Sequence, residues 1–275
     1  MTREQAISMT RPSWGHRTRA GWQRLFSGPV LPAYPNKAPF ERPLVVLIAA
    51  FVPALILMFH ADQALGEWMV NYPEALRPFA DRVTRLGEGV EVLVSTGMFL
   101  VLSALAPVWL VRKRLAAGLD ALTSAAAFVF LAVAGGGLTA LISKYLIGRA
   151  RPVLLESHDA LSFQPFAFNS DFSSFPSGHS ATAGAMAIAL ALVFPRLRVL
   201  FITLGILICV SRQFVGVHWM SDTLMGWAVG AAFTYWLAHV FARRRLMFTY
   251  DGFGRLRPLR LRLRMTRLLR RRRQP

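Results

Sequence analysis

Cysteine and acidic residues are scarce in this chain. The single cysteine, Cys209, lies in an apolar block, which excludes an internal disulfide, and nothing near it in the sequence indicates a metal site, so we expect a small buried side chain. Only 14 Asp and Glu stand against 32 Lys and Arg, giving a formal net charge of +18. A secretory signal has its apolar core close to the start of the chain. The first apolar block here begins much later, so we expect no cleaved signal.

Apolar residues, in contrast, make up 54% of the 275 residues and come in long blocks. Such blocks are typical of membrane-spanning helices, which need about 20 residues to cross about 30 Å of hydrocarbon. They predict an all-α integral membrane protein with six transmembrane helices. The predicted spans are Leu44–Phe59, Val90–Val111, Leu122–Ile147, His179–Phe194, Val199–Val210 and Met220–Phe241.

Basic residues concentrate in alternate segments between these spans. Residues 1–42 hold seven Lys and Arg, the tail from residue 243 onward holds thirteen, and the links after spans two and four are also basic. Residues 60–89, expected to form a loop, carry five acidic residues against three Arg. The positive-inside rule places the basic segments, 1–42 and 243–275 included, in the cytoplasm around a membrane domain at 43–242. We expect the Arg-rich tail to bind anionic lipid headgroups rather than nucleic acid.

Three polar clusters fall on the opposite face of the membrane. The first is KYLIGRARP, residues 144–152, in which Lys144 and Arg151 are seven residues apart. That spacing is two helical turns, so we expect both cations on one helix face, with the helix ending near Pro152. They could hold an anion or could be ordinary cations at the end of a span.

The second cluster is PSGH, residues 176–179, where predicted span four begins. Ser177 suits a helix N-cap, and Gly178 lets an anion approach the backbone. The free amide groups and the helix dipole favour an anion site there, with His179 at its edge. The alternative is an interfacial histidine without a function.

The third cluster is SRQFVGVHWMSD, residues 211–222, in which Arg212 adds another cation. His218 and Asp222 are four residues apart, so they are neighbours on a helix, and the carboxylate fixes the imidazole tautomer. This arrangement is typical of an activated nucleophile or base. A capping Asp beside a chance histidine has the same spacing.

Together these clusters bring three cations, two histidines and a carboxylate to one membrane face. Ionisable groups at the depth of the membrane cost free energy, so their presence there indicates function. This set of residues best fits a phosphate. One imidazole could attack phosphorus while the other protonates the leaving oxygen. Other polar residues and glycines are expected outside the site: His158 and Asp159 in a solvated loop, His60 and Asp62 in water, and Gly135, Gly136 and Gly137 in helix packing.

The three clusters resemble the signature of the type-2 phosphatidic acid phosphatase superfamily, which also includes vanadium haloperoxidases and glucose-6-phosphatase. The signature reads Lys-x6-Arg-Pro, Pro-Ser-Gly-His and Ser-Arg-x5-His-x3-Asp, and it is complete at residues 144–152, 176–179 and 211–222. The resemblance implies a six-helix bundle with an acid phosphatase/vanadium haloperoxidase-like core. It also implies a metal-independent lipid phosphatase that uses no cofactor, which vanadate inhibits and a chelator does not.

The resemblance also assigns roles. His218 would form a phosphohistidine, Asp222 would hold its ring, and His179 would donate a proton to the leaving group. The phosphate oxygens would be bound by Lys144, Arg151, Ser177, Gly178 and Arg212.

Several questions stay open at this point. The substrate could be phosphatidic acid, phosphatidylglycerol phosphate, undecaprenyl diphosphate or lipid A, and residues 60–89 and 153–175 are the candidates for a lid that selects it. A phosphotransferase that passes phosphate to another lipid, or a non-catalytic anion-binding membrane protein, has the same residues. We expect the bacterial inner membrane, with both termini cytoplasmic and the site periplasmic or extracellular. The sequence does not indicate the oligomeric state.

Overall fold

The structure, a computed structural model, describes residues 23, 26–31, 38–70, 77–85, 87–105 and 116–259. Most of the predicted N-terminal segment, the basic link at 112–114 and the Arg-rich tail beyond residue 259 lie outside the described residues. The described part is mostly helical, as the apolar blocks predicted.

Eight α-helices, one small hairpin and three short 3-10 helices, Pro39–Glu41, Pro152–Leu154 and Pro195–Leu197, make up the regular structure of the described residues. The helices are α1 (Pro43–His60), α2 (Asp62–Val70), α3 (Arg77–Arg85), α4 (Val90–Leu105), α5 (Ala116–Ile147), α6 (Gly178–Val193), α7 (Arg198–Phe214) and α8 (Met220–Arg243). The hairpin pairs β1 (Phe248–Tyr250) with β2 (Leu256–Pro258) in antiparallel register.

Five helical stretches within the described residues are long and apolar enough to cross a membrane. They are Pro43–His60, Pro78–Leu105, Gly118–Ile147, Pro195–Phe214 and Met220–Arg243. The remaining predicted span corresponds to α6, an apolar helix of 16 residues. At 1.5 Å per residue it is about 24 Å long, less than the usual thickness of the hydrocarbon core. The predicted count of six spans is therefore not confirmed.

The region 60–89 is largely helical, so its prediction as a loop was wrong. It contains α2, directly after α1, and α3, whose apolar side chains Phe79, Ala80 and Val83 recur at helical spacing. Charged residues on the other side of α3 hid this pattern in a window scored for hydrophobicity alone. Both short helices matter to the site, because each contributes a residue to it.

Helix α6 is the centre of the bundle, enclosed by α5, α7 and α8. Small residues allow this close approach: Gly136 of α5 lies against Ala185 and Gly230, and Gly184 of α6 lies against the backbone of Trp227. A side chain at Gly184 or Gly230 would collide with the neighbouring backbone, and one at Gly136 would be tightly packed. The prediction that the glycine run in span three serves helix packing is confirmed at Gly136.

Phenylalanines pack together where α5, α8 and the hairpin meet. The Phe128 ring lies 5.3 Å from that of Phe241 and 4.8 Å from that of Phe248, both edge to face. The hairpin is thereby attached to the end of the bundle at which α8 finishes. The single cysteine, Cys209, is buried as predicted.

The two ends of the bundle differ in chemistry. At one end the backbone N–H of Val30 donates to the carbonyl of Arg243, and the His239 imidazole contacts the Glu41 carbonyl at 2.9 Å. Helices α6 and α8 run in the same direction and finish at this same end. The short turn between α6 and α7, which carries Arg196 and leads into Arg198, therefore lies there as well. The other end, where α1, α5 and α7 finish and α6 and α8 begin, collects the residues of the three polar clusters.

Candidate active site

The first cluster lies where α5 ends. The helix finishes at Ile147 because Gly148 adopts a left-handed conformation, φ 65°, and donates its N–H to the Lys144 carbonyl. Arg151 is therefore in extended backbone, φ −83° and ψ 156°, and not on a helix face shared with Lys144. That part of the prediction was wrong, since a glycine ends the helix before the proline does. Both cations still reach the same region, because the two side chains are close enough to interact electrostatically.

The second cluster forms the first turn of α6. Ser177 is the N-cap, as predicted, and its hydroxyl accepts a hydrogen bond from the Ser180 N–H at 3.4 Å. Gly178 faces open space: of the described atoms, only the Lys144 Nζ would lie within 4 Å of a side chain there, at 3.9 Å. An anion can thus reach the first amide groups of α6 with the Lys144 ammonium close by.

Arg212 approaches the same region from the last turn of α7. Its Nη1 donates to the Thr84 hydroxyl of α3 at 2.9 Å, and its Nε, like the Nε of Arg151, is buried without a hydrogen-bond partner among the described residues. Arg151 and Arg212 are electrostatic neighbours. Two guanidinium groups with unused donors side by side are the arrangement that a polyanion completes.

The third cluster places His218 before α8 rather than within it. The helix begins at Met220, so Asp222 is its third residue, and its Oδ2 accepts the Trp219 N–H at 2.9 Å. The Nδ1 of His218 lies 3.6 Å from that oxygen, longer than a hydrogen bond. Burial lowers the pKa of His218 from its ordinary value, and the Asp222 contact opposes this effect. His218 and Asp222 are therefore close, as expected, but because Asp222 caps the start of α8 and not because both lie on one helical turn.

The two imidazoles lie at the same end of the bundle. The electrostatic neighbours of His179 are Arg212, His218, Lys144 and Arg151. The three cations and both imidazoles therefore lie around one region at the start of α6, with Asp222 behind His218. Their catalytic roles remain predictions.

Arg149 is a central residue that the sequence reasoning missed. Its side chain is 0% exposed, and it donates from Nη1 to Asp222 Oδ1 at 2.6 Å and from Nη2 to Asp62 Oδ2 at 2.9 Å. It also donates to the Ala160 carbonyl from Nε and Nη2. Asp62 is likewise 0% exposed, so the prediction that it lies in water was wrong. An ionisable residue directly after an apolar block was the available signal.

Ser174 is a second missed residue. Its hydroxyl donates to Asp222 Oδ2 at 2.5 Å and lies 3.5 Å from His218 Nδ1. Asp222 is thus held by Arg149 on one oxygen and by Ser174 and the Trp219 N–H on the other. No spacing rule in the sequence connects Ser174 with residues that follow it by more than forty positions.

The other polar residues lie as follows. His60 and Asp159 are exposed, as expected, and Asp159 Oδ1 accepts from the Leu161 N–H and the Ser162 hydroxyl within its own loop. His158 is half-buried and packs edge to face on Phe172. Within the described part of the chain, no group of three or more His, Cys, Asp and Glu side chains could hold a metal ion.

Chemically, the arrangement suits a doubly or more highly charged anion at the mouth of a helical bundle. Lys144, Arg151 and Arg212 bring positive charge to the start of α6 with its backbone amide groups, and two imidazoles lie beside them. The fold and the site together define a helical protein with a cationic, imidazole-containing site at one end of its bundle.

Comparison with known proteins finds a matching family. Residues 125–246 match the model of the PAP2 superfamily. All three polar clusters lie within the matched residues.

Three curated relatives match part of the chain. Two are lipid A 1-phosphatases, from Rhizobium johnstonii and Rhizobium etli, 48% and 45% identical over 122 residues; these are 44% of this chain and 50% and 53% of the relatives. An undecaprenyl-diphosphatase from Sulfolobus acidocaldarius is 33% identical over 92 residues, 33% of this chain and 42% of that protein. The chain spans about half the length of the curated relatives it matches.

A solved structure shows a similar fold. It is that of a transmembrane PAP2 type phosphatidylglycerolphosphate phosphatase from Bacillus subtilis, with a TM-score of 0.50, 22% sequence identity, and coverage of 71% of this chain and 94% of that one. This likeness is one of fold, and the five long apolar helices among the described residues are those expected of an integral membrane protein.

Proposed function

We propose that this protein is an integral membrane lipid-phosphate phosphatase that works through a phosphohistidine. The observation that carries the proposal is the meeting of three cations and two imidazoles, with unpaired guanidinium donors on Arg151 and Arg212, around one open region at the start of α6. Without an anion this set of like charges is unfavourable, so the site is built for a group that neutralises it.

The first step forms the covalent intermediate. The Nδ1 side of His218 faces Asp222, so Nε2 is the free nitrogen, and its lone pair attacks phosphorus. The bond between phosphorus and the leaving oxygen breaks with its electron pair, and His179 gives its proton to that oxygen. Nδ1 keeps its proton, so the phosphorylated ring becomes cationic and is stabilised by the Asp222 carboxylate.

The second step hydrolyses the intermediate. Neutral His179 takes a proton from water, the water oxygen bonds to phosphorus, and the P–N bond breaks with its electrons returning to His218. Lys144, Arg151 and Arg212 neutralise the phosphoryl oxygens in both steps, which is where most of the rate enhancement of such transfers arises. No further group is consumed, and inorganic phosphate leaves.

The substrate class follows from the relatives and from the membrane location. Lipid A 1-phosphatases are the relatives with the higher identity, so a phosphorylated lipid of that kind is our leading candidate. The undecaprenyl-diphosphatase, at 33% identity, makes an isoprenoid diphosphate the second candidate. Both relatives are named as hydrolases, which favours transfer to water over transfer to another lipid.

An apolar groove offers a place for the lipid chain. A cavity of about 750 Å³ lies between α3, α4, α6 and α7, lined by side chains such as Val83, Met186, Leu204 and Ile208. Ser211 lines it as well, directly before Arg212, and Thr84, directly after Val83, binds Arg212. The groove therefore begins beside the phosphate site, where a chain attached to the phosphate would leave it.

The orientation in the membrane follows from charge. Arg42, Arg196, Arg198 and Arg243 lie at the end of the bundle opposite the site. By the positive-inside rule that end is cytoplasmic and the site opens on the other face, the periplasmic face of a bacterial inner membrane. This orientation needs α6 as a sixth span, and its enclosure by longer helices lets 16 residues suffice.

The test is phosphate release by purified protein from lipid A, undecaprenyl diphosphate, phosphatidylglycerol phosphate and phosphatidic acid. We expect the His218→Ala variant to lose turnover, whereas His60→Ala, which removes an exposed histidine at the same end, keeps it. We also expect inhibition by vanadate and none by a chelator. Full turnover by His218→Ala, or binding without any phosphate release by the wild type, would overturn the proposal.

A further inference from the structure

A buried charge cluster of Asp62, Arg149 and Asp222 lies directly behind His218. Arg149 bridges the two carboxylates, at 2.9 Å to Asp62 and 2.6 Å to Asp222, and all three side chains are 0% exposed. Two carboxylates against one guanidinium leave one negative charge without a partner inside the cluster. Burial makes such a charge costly unless a cation lies next to it.

The cluster is held rigidly from several sides. Ser221 donates its N–H to Asp62 Oδ1 and its hydroxyl to Asp62 Oδ2, and it accepts from Arg149 Nη1 at 2.7 Å. The Arg149 guanidinium also lies 5.5 Å from the centre of the Trp219 ring. Asp62 thus joins α2, which precedes the family-matched residues, to the first turn of α8.

The cation that balances this cluster is the ring of His218 during turnover. The free imidazole is neutral, and bonding of Nε2 to phosphorus, with Nδ1 keeping its proton, gives the ring a positive charge. Asp222 alone would pair with that charge, but Arg149 already neutralises Asp222. The carboxylate of Asp62 neutralises Arg149 in turn and so restores the net negative charge beside the ring.

We propose, on the basis of the function given above, that Asp62 and Arg149 are positioning residues for the transfer reaction. Asp62 and Arg149 together set the net charge of the buried cluster to match a phosphorylated, cationic His218, while Ser174 and the Trp219 N–H hold the Asp222 carboxylate beside the ring. The reaction therefore depends on a residue from α2, outside the three sequence clusters.

Variants that change the charge of the cluster one step at a time test this proposal. Asp62→Asn removes one negative charge with little change in volume, and the cluster becomes neutral. We expect kcat to fall about 10- to 100-fold, as for other partners that orient a reacting group from behind, with KM nearly unchanged because the phosphate-binding cations are intact. The double variant Asp62→Asn/Arg149→Met also removes the positive charge, so Asp222 alone faces the ring, and kcat should recover most of the loss.

The matched control is Glu67→Gln, which removes an exposed acid from the same helix and should leave kcat unchanged. A purely structural role of the cluster predicts that the double variant is at least as impaired as Asp62→Asn, and that result would overturn the proposal. Unchanged kcat in a folded Asp62→Asn protein would do so as well.

A second measurement needs no turnover. Titration of the His218 ring by NMR in the unreacted protein should show a lower midpoint in Asp62→Asn and a midpoint near that of the wild type in the double variant. The other groups that face His218, namely Asp222, Arg151, Arg212 and His179, are the same in all three proteins. Equal midpoints throughout would contradict the inference. Failure of the wild type to form a phosphohistidine would instead contradict the proposed function.

Discussion

The backbone N–H of Ser177 donates a 3.0 Å hydrogen bond to the carbonyl oxygen of Asp222. This bond joins the start of α6, where we place the phosphate, to the first turn of α8, which follows the proposed nucleophile His218. The helices meet this closely because Gly226, one turn further along α8, lies against the backbone of Ser177. Two distant segments are thereby kept in a fixed relation without any side chain between them.

Replacing Gly226 with alanine should separate these two helix starts. A methyl group there would collide with the Ser177 backbone, so we expect a loss of about 1–3 kcal/mol in unfolding free energy and a larger loss of turnover. Thermal unfolding in detergent and phosphate release measure the two effects. Gly118→Ala is the control, since no described atom lies within 4 Å of its added carbon. Equal behaviour of the two variants would show that the close contact at Gly226 is not required.

Much of the site could be predicted from sequence because each of its clusters is local. Lys144 and Arg151, or His218 and Asp222, are close in the chain, and their spacing survives even where the helix boundary differs from the expected one. The N-cap at Ser177 and the helical character of the apolar blocks follow from equally local rules. Such features need no knowledge of how the helices pack.

The contacts that the sequence could not provide are tertiary. Arg149 and Asp62 are 87 residues apart, and nothing in the local sequence of either residue specifies the other. Ser174 and Asp222 are 48 apart, and their contact depends on how the loop before α6 folds over α8. The charge behind His218 is therefore a property of the packed bundle rather than of any motif.

Replacing Gly178 with alanine should affect binding and leave the fold intact. The added methyl group would meet only the flexible end of Lys144, at 3.9 Å, so we expect unfolding temperature to be unchanged. A phosphate seated on the first turn of α6 would occupy the same space, so KM should rise severalfold or more. Inhibition by inorganic phosphate measures the same site independently of the lipid. A variant that keeps wild-type KM and wild-type inhibition would place the anion elsewhere.

Replacing Arg212 with methionine should separate activity from stability. Arg212 is buried beside Arg151, with only Glu88 and Asp81 to offset the repulsion, and its Nε has no partner among the described residues, so its loss should cost the protein without substrate little stability. We expect turnover to fall about 100- to 1,000-fold, the usual effect of losing one group that stabilises developing charge. The unfolding temperature should stay nearly the same. Loss of stability in parallel with activity would instead indicate that Arg212 is a structural residue held by Thr84.

The pH dependence should report His218. The ring must be neutral to attack, and burial lowers its pKa from the ordinary value of 6.5, so kcat/KM should fall with decreasing pH only below about 6.5. Asp222 opposes this lowering, so in Asp222→Asn the acidic limb should move to still lower pH while kcat falls. Ionisation of the substrate is identical for the two proteins and cancels in the comparison. A limb that stays in place would assign it to the substrate or to another group.

The apolar groove beside Arg212 should select substrates by their chains. Leu204 lines the groove, so a tryptophan there would fill part of it, whereas Leu200, one turn earlier on α7, is exposed and is not among the lining residues described. We expect Leu204→Trp to lower kcat/KM for a long-chain lipid phosphate and to leave a short-chain, water-soluble phosphate ester unaffected. Leu200→Trp should change neither.

The size of this effect follows from burial of the chain. Each methylene group that leaves water contributes about 0.8 kcal/mol, roughly a fourfold change in binding, so blocking even a few groups is measurable. If the wild type turned over short and long chains with the same kcat/KM, the groove would not be the chain site. The same conclusion would follow if Leu204→Trp reduced both substrates equally, because the substitution would then be acting on the phosphate site through Ser211 and Arg212 rather than on the chain.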